Sequence, residues 1–403
     1  MVKNKILILE NCRQTLVVLR SLVNAGYDTV IGYHDEIRDK FVLSSRYTKE
    51  TWLHPALNEE EKFIEALTAF LKRRGDIKYI FPVDNAIISL LTRNFDQISS
   101  ICGILMASPF ATEICLDKAK TYDLAHEQNI PLPETSTVRS FTDINTQIGK
   151  IGFPFILKPR TSGKSLYGKK CIISHTPDEF KNHFPKWPEN HSDLLLQKKV
   201  LGFRYNCNFT AINGKIVGYF EAKTLRTEDY DYTGSAVNTV SVRPSNKRKH
   251  YCELLTHKLD YTGIGIIQFL VDEEDGTPYF LEFNPRMGGS HALPYYCGVD
   301  FPKQAIDVHQ YLSGEIASLP QYSKDYRLGI RIHWLFGDIT GMLKERRKKE
   351  ISILQGIGWM FRIIISIFRA SHHMTWSWKD PLPTLVLYKQ EFLNIVLRRI
   401  GFR

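Results

Sequence analysis

"YFLEFNPRMGGS", residues 279–290, is the stretch whose reading decides the fold. Glu282, Asn284 and Arg286 alternate, so on an extended chain they share one face, while Leu281 and Phe283 take the other. A Gly-Gly-Ser turn follows. Just upstream, "GIGIIQFLV" is an apolar strand and "EDGTP" a turn signal, so residues 263–286 read as a β-hairpin. Gln268 lies on the first arm, Glu282 and Asn284 on the second. Oxygen donors from two neighbouring strands suit a hard divalent cation such as Mg²⁺, which completes its shell with phosphate oxygens and water. The competing reading is a solvated polar face with Glu282 and Arg286 paired, worth only about 0–1 kcal/mol. That reading gives the Gly-Gly-Ser no purpose.

"FPFILKPRTSGKSLYGKKCIIS" (153–174) carries the second chemical signal. Lys158 ends an apolar strand and precedes a loop holding Ser162, Gly163, Lys164 and Ser165. Small residues let backbone N–H groups approach an anion, and lysine supplies a point charge. The G-K-S triplet lacks the spacing of a Walker loop and stands between strands, so a flexible basic hairpin competes with a phosphate loop.

Working outward, "KILILE" (5–10), "YDTVIGYH" (27–34) and "IKYIFPVD" (77–84) read as buried strands. "RQTLVVLRSLVNAG" and "EKFIEALTAFLKRRG" read as helices between them. Alternation of this kind predicts a parallel α/β sheet over about the first 110 residues. No G-x-G-x-x-G follows the first strand, so a dinucleotide site is not indicated. Asp84 falls at the carboxyl end of a strand, where such sheets bind ligands; a helix-capping role is the alternative. Further on, "LDKAKTYDLAHEQN" reads as a helix, and 193–202 and 205–225 as strands with "NGK" as a turn. "FPKQAIDVHQYLSG" (301–314) is a helix.

Taken in order, "LDKAK" (116–120), "FPFILKPRTSGKSLYG" (153–168), "LLLQKKVLG" (194–202), "IIQFLV" (266–271) and "FLEFNPRMGGS" (280–290) resemble the ATP-grasp superfamily. The nearest flavour is the carbamoyl-phosphate synthetase large chain and biotin carboxylase branch. The resemblance covers about residues 1–315. It implies an N-terminal Rossmann-like parallel-sheet domain (1–110), an α+β ATP-grasp domain (111–315, flap about 133–199) and a helical basic C-terminal extension (316–403).

The resemblance also assigns roles. Lys118 and Lys158 match lysines that hold ATP phosphates, and 161–168, with Ser162, Gly163, Lys164 and Ser165, matches the flap over them. Gln197, Lys198, Lys199 and Val200 match the adenine-reading hinge. Gln268, Glu282 and Asn284 match the metal set, and Arg286 the arginine that steadies the activated intermediate. Arg204 stands where the family has a ribose-gripping glutamate, and Lys198 replaces a common acid. Substrate contacts are expected from Asp84, Arg226, Arg286, Gly288, Gly289, Ser290 and His291. The implied activity is ATP-dependent ligation of a carboxylate to an amine through an acyl phosphate, with Mg²⁺ or Mn²⁺. Alternatives are activation of bicarbonate in a carbamoyl- or carboxy-phosphate enzyme, and a non-catalytic ATP-binding regulator.

The net charge of +10 is uneven. From Gln321 onward there are 15 Lys and Arg against 6 Asp and Glu, leaving 38 against 37 before it. No nucleic-acid partner is expected. The basic tail carries four of the six Trp. Read as a helix, Ser352, Gln355, Arg362, Ser366 and Arg369 share a stripe, and Arg362 interrupts the apolar run too early for a membrane span. Packing on the main body competes with peripheral contact with an anionic membrane. The seven Cys are scattered without a C-x-x-C pair, which suits a reducing compartment, and the N-terminal apolar run is too short for a signal peptide. A cytoplasmic enzyme, membrane-associated at most, is expected, with a homodimer as the default assembly.

Overall fold

The structure, a computed structural model, describes residues 4–34 and 40–399. Its first sheet contains β1 (Lys5–Leu9), β2 (Asp28–Tyr33), β3 (Glu50–Leu53), β4 (Ile77–Pro82) and β5 (Gly103–Ile104), in the order β3-β2-β1-β4-β5, all parallel. Helices α1 (Arg13–Asn24), α2 (Glu60–Arg74), α3 (Asn85–Arg93) and α4 (Phe95–Ser99) make the connections. β1 and β4 are apolar along their length because both faces are covered. The sequence patterning did not mark β3 or β5. In β3 only Trp52 is buried, and β5 has two residues, so neither carries an apolar run.

Helices α5 (Pro109–Leu116) and α6 (Lys118–Glu127) lead away from this sheet. The single helix expected at 116–129 begins anew at Asp117, whose carboxylate caps α6 by accepting from the Ala119 and Lys120 N–H groups. A small antiparallel sheet follows, built from β6 (Thr135–Val138), β7 (Phe155–Pro159), β8 (Ile172–Ser174) and β9 (Leu194–Lys198), in the order β6-β9-β7-β8. Helices α7 (Phe141–Ile151) and α8 (Pro177–His183) cover it, and Phe155, Phe180, Phe184 and Leu196 share its core.

The third sheet is large: β10 (Gly202–Ile212), β11 (Lys215–Thr227), β12 (Ala236–Ser241), β13 (Gly263–Asp272), β14 (Pro278–Asn284), β15 (Arg331–His333) and β16 (His372–His373). Its order is β14-β13-β10-β11-β12-β15-β16, antiparallel except for the last pair. The β10–β11 turn places Asn213 and Gly214 at φ 46° and 74°, the two positive values that an Asn-Gly hairpin turn requires. Helices α9 (Asn246–Lys258), α10 (Ala292–Cys297) and α11 (Phe301–Leu312) pack on this sheet.

The tail, α12 (Leu335–Arg347), α13 (Ile353–Arg369) and α14 (Leu382–Arg399), is more than a helical appendage. β15 and β16 extend the third sheet. One core unites Leu16 and Leu19 of α1, Phe220 of β11, Ile306 of α11, and Met374 and Leu387 of the tail. Buried Arg20 donates to Asp380 and to the Thr375 carbonyl, tying α1 to the far end of the chain. Packing on the body is thus the outcome for most of this region. No helix among the described residues is long and apolar enough to cross a membrane, and all seven cysteines are free thiols.

Candidate active site

The β13–β14 hairpin pairs Gln268 directly with Glu282 and Ile266 with Asn284. Asn284 donates its amide N–H to Glu282 Oε1 at 2.9 Å, and the Gln268 amide donates to Asn206 on β10. Both amides have an N–H spent on a neighbour, which leaves their oxygens as acceptors on the strand pair that carries Glu282. One carboxylate and two amide oxygens is a donor set that fits a hard divalent ion. Burial alone would raise the Glu282 carboxyl, but Lys118, the Asn284 amide, Lys170 and Arg204 outweigh it and hold it below the usual carboxylate range. Glu282 is therefore ionised before any cation arrives.

Two lysines stand at its other side. Lys158, buried on β7, donates to Tyr122 Oη at 2.6 Å and to Gln197 Oε1 at 2.8 Å. Lys118 opens α6 and reaches Ser162 Oγ at 3.4 Å; burial lowers its ammonium to about 8. The loop that carries Ser162 is pinned to the base of α6. Ser162 N donates to the Leu116 carbonyl, Lys118 N to the Arg160 carbonyl, and the Arg160 guanidinium pairs with Asp117 and Asp193. Gly163 then turns at φ 88° within contact distance of Asn85, so the loop tip lies over the first sheet's α3. Lys164 and Ser165 lie in the same loop, Lys164 N donating to the Thr161 carbonyl.

The hinge residues divide by role. Gln197 is buried and its side chain braces Lys158, while Lys198 N donates to the Glu134 carbonyl and Lys199 N to the Pro154 carbonyl. Lys199 and Val200 line a cavity of about 350 Å³, together with Ile156, Phe203, Leu270 and Leu281. Arg204 lines it too. Its two terminal nitrogens donate to the Gly234 carbonyl, which latches the loop after β11 against the cavity. Burial lowers the Arg204 guanidinium from its ordinary value, with Glu282 and Glu228 opposing.

Arg286 joins this site to the first sheet. It donates through Nε to Asn85 Oδ1 and through Nη1 to the Met287 carbonyl. Asp84, the neighbour of Asn85, is the N-cap of α3, accepting from Ala86 and Ile87, so its capping reading is realised. The Gly-Gly-Ser turn is cramped by design of its neighbours. A Cβ on Gly288 would lie 2.5 Å from Ile266 Cδ1, and one on Gly289 2.8 Å from Arg13 Nη2. Ser290 continues this turn, its carbonyl accepting from Leu293 N. His291 is buried and accepts the Gly288 N–H at Nδ1; burial first, then Arg286, lowers it to about 3. The imidazole is thus neutral and shapes the turn through Nδ1, while its buried Nε2 has no hydrogen-bond partner among the described residues.

Arg226 is the clear correction. Its guanidinium forms a two-point pair with buried Asp338 of α12 and also donates to Ser366 of α13. Asp338 further accepts from His333 and from Trp359 Nε1. Arg226 is thus committed to rooting the tail, not to a substrate.

Sequence reasoning missed Tyr122, Asn206, Asn85 and Glu10. Glu10 follows β1 directly at φ 91°, and burial, with the nearby Asp84 charge, raises its carboxyl to about 7. The acid closing "KILILE" at the carboxyl edge of a parallel strand was the available signal.

The small antiparallel sheet and the large sheet close on one cavity, and the parallel-sheet domain reaches the site through Asn85; this is the arrangement of the ATP-grasp fold. Residues 117–311, just under half of the chain, match the family described as carbamoyl-phosphate synthase L chain, ATP binding domain. Over 177 residues it is 28% identical to the N-terminal section of the carbamoyl phosphate synthase large chain of Aquifex aeolicus, covering 41% of this chain and 30% of that one. Over 270 residues it is 24% identical to D-aspartate ligase of Enterococcus faecium, covering 61% and 63%. The chain therefore spans from under a third to under two thirds of these relatives. Among solved structures, the biotin carboxylase domain dimer of Hydrogenobacter thermophilus 2-oxoglutarate carboxylase, in complex with MgADP, ADP and bicarbonate, superposes with a TM-score of 0.63 at 18% identity, covering 82% of this chain and 74% of that one.

Proposed function

We propose that the protein is an ATP-dependent ligase that joins a small carboxylic acid to an amine through an acyl phosphate. The observation that carries this reading is that Glu282, paired across the hairpin with Gln268 and bonded to Asn284, lies within charge range of Lys118, itself within charge range of Lys158, which lines a cavity of about 350 Å³. The cavity lined by Lys199, Val200 and Leu281 would take the adenine. Lys158 and Lys118 would neutralise phosphate oxygens, helped by the Ser162–Ser165 loop. Glu282, Asn284 and Gln268 would hold Mg²⁺, or Mn²⁺ in its place, and the cation would supply charge neutralisation for phosphoryl transfer.

A substrate carboxylate oxygen forms a bond to the γ-phosphorus as the bond to ADP breaks. The amine nitrogen then bonds to the carbonyl carbon, phosphate leaves, and the nitrogen releases a proton. Arg286, held at the junction of two domains, faces the negative charge that develops on the acyl oxygen. Glu10, titrating near 7 at the carboxyl edge of the first sheet, is suited to receive an ammonium group and take its proton.

The test is ADP release with Mg²⁺ across a panel of carboxylic acids, bicarbonate included, crossed with amino acids and amino sugars. Release that needs both an acid and an amine supports the reading. Release with bicarbonate alone points to the carboxy-phosphate alternative, and release in no combination points to a regulator. The Glu282→Ala and Arg286→Ala variants are expected to keep the fold and lose turnover; full ADP release by either sinks the assignment.

A further inference from the structure

Helix α13 has three faces that differ in chemistry. Gly356, Trp359, Ile363 and Ser366 point inward, where Trp359 and Ser366 join the Asp338–Arg226 network. At 100° per residue, the side turned roughly opposite collects Leu354, Ile357, Phe361, Ile364, Ile365 and Phe368. These are exposed, Leu354 by 80% and Phe368 by 84%. Between the two faces runs an edge with Arg362 and Arg369, both exposed. Arg347, Lys348 and Lys349 stand exposed at the approach to the helix, and α13 itself contains no acidic residue. Isolated surface leucines are ordinary, whereas a contiguous apolar ridge of six large side chains on one helix face marks a contact surface.

We propose that α13 is a docking ridge for an anionic lipid surface, lying in the membrane plane with its outward residues among the acyl chains and its basic edge among the headgroups. Charge decides for this occupant. The tail carries a surplus of nine positive charges, and lipid phosphates complement both the basic edge and the cluster before the helix. A second copy docked on the same ridge by an antiparallel two-fold would set Arg362 and Arg369 on the same side as their own counterparts. The helix needs no partner to form, because its capping box at Ser352 and Gln355 and its inward anchors already fix it. Docking also brings the nucleotide site close to the lipid, since Glu350 pairs with Lys169 beyond the flap loop and Lys344 with Asp229 of the loop after β11.

The test is flotation of the full chain with vesicles of phosphatidylcholine alone or mixed with phosphatidylglycerol, alongside light scattering for mass in solution. Binding is expected to the mixed vesicles only, and to weaken as salt is raised. The double variant Ile364→Asp/Phe368→Asp should abolish it, and Arg362→Glu/Arg369→Glu should reduce it roughly tenfold or more. Neither pair touches the core, so both variants should melt like the parent. Absence of flotation with mixed vesicles overturns the proposal, as does unchanged binding by Ile364→Asp/Phe368→Asp. A dimer in solution that this variant converts to monomer, without vesicle binding, assigns the ridge to a second copy instead.

Discussion

Two arginines of the third sheet, one on its central strand β11 and one just past its edge strand β14, show how alike residues come to serve different ends. Arg226 meets a buried carboxylate, Asp338, and its charge is cancelled inside the protein. Arg286 is held just as firmly, but by an amide oxygen and a backbone carbonyl, both neutral. Among the described residues it forms no ion pair. A guanidinium fixed by neutral acceptors keeps its charge for an anionic visitor, while one fixed by a carboxylate has already been answered. In the sequence both were candidates for substrate contact; only the nature of the partner separates them.

The sharpest way to break this contrast is to remove each side chain in turn. Arg286→Ala should lower kcat by roughly 10²–10³-fold, the range for loss of a single charge-stabilising donor, with thermal melting little changed. Arg226→Ala should do the reverse. It leaves buried Asp338 with only His333 and Trp359 as partners, a loss of up to about 3–5 kcal/mol, seen as a lower midpoint in urea with activity per folded molecule largely kept. Catalytic collapse of Arg226→Ala at full stability would overturn the distinction.

The pH dependence of the same network sharpens it. Burial raises the Asp338 carboxyl, but His333, Arg226 and Trp359 more than compensate and hold it below its ordinary value. Its contribution to stability is therefore present above the unfolded pKa of about 3.9 and lost as pH falls through the folded one. Asp338→Asn should flatten the acid limb of a stability-against-pH curve. Glu10 acts with opposite sign. Raised to about 7, its carboxyl binds a proton more tightly in the folded state, so stability falls as pH rises from about 4.5 to about 7. Glu10→Gln should raise the melting temperature at pH 8 and leave it near the parent's at pH 4. The smallest effect is expected from Ser162→Ala, which removes one neutral contact to Lys118 at 3.4 Å; a few-fold rise in KM for ATP, with kcat unchanged, is the measurement to seek.

The hairpin at 263–286 was legible because its information is local. Alternation placed Glu282 and Asn284 on one face, and the turn signal placed Gln268 opposite them. Lys158 was legible for the same reason, as a charge ending an apolar strand. What stayed hidden depends on contacts between distant segments. Asn85 is 201 residues from Arg286 and Asp338 112 from Arg226, and no spacing rule spans such gaps. Glu10 was visible as a residue, but its raised carboxyl comes from burial and from Asp84, which only the folded sheet brings near. The short strands β15 and β16 were hidden because three and two residues carry no period.

Those two strands have a consequence for synthesis. Every residue assigned to the nucleotide and the cation lies before position 300, yet the sheet that carries them is completed by residues 331–333 and 372–373. The core over α1 is closed only by Met374 and Leu387, and Arg20 waits for Asp380. A nascent chain that already displays the whole site must therefore emerge past residue 387 before α1 is covered. Until then the α1 face is a target for chaperones, and a stop codon placed after residue 315 should yield a protein that aggregates rather than a minimal enzyme.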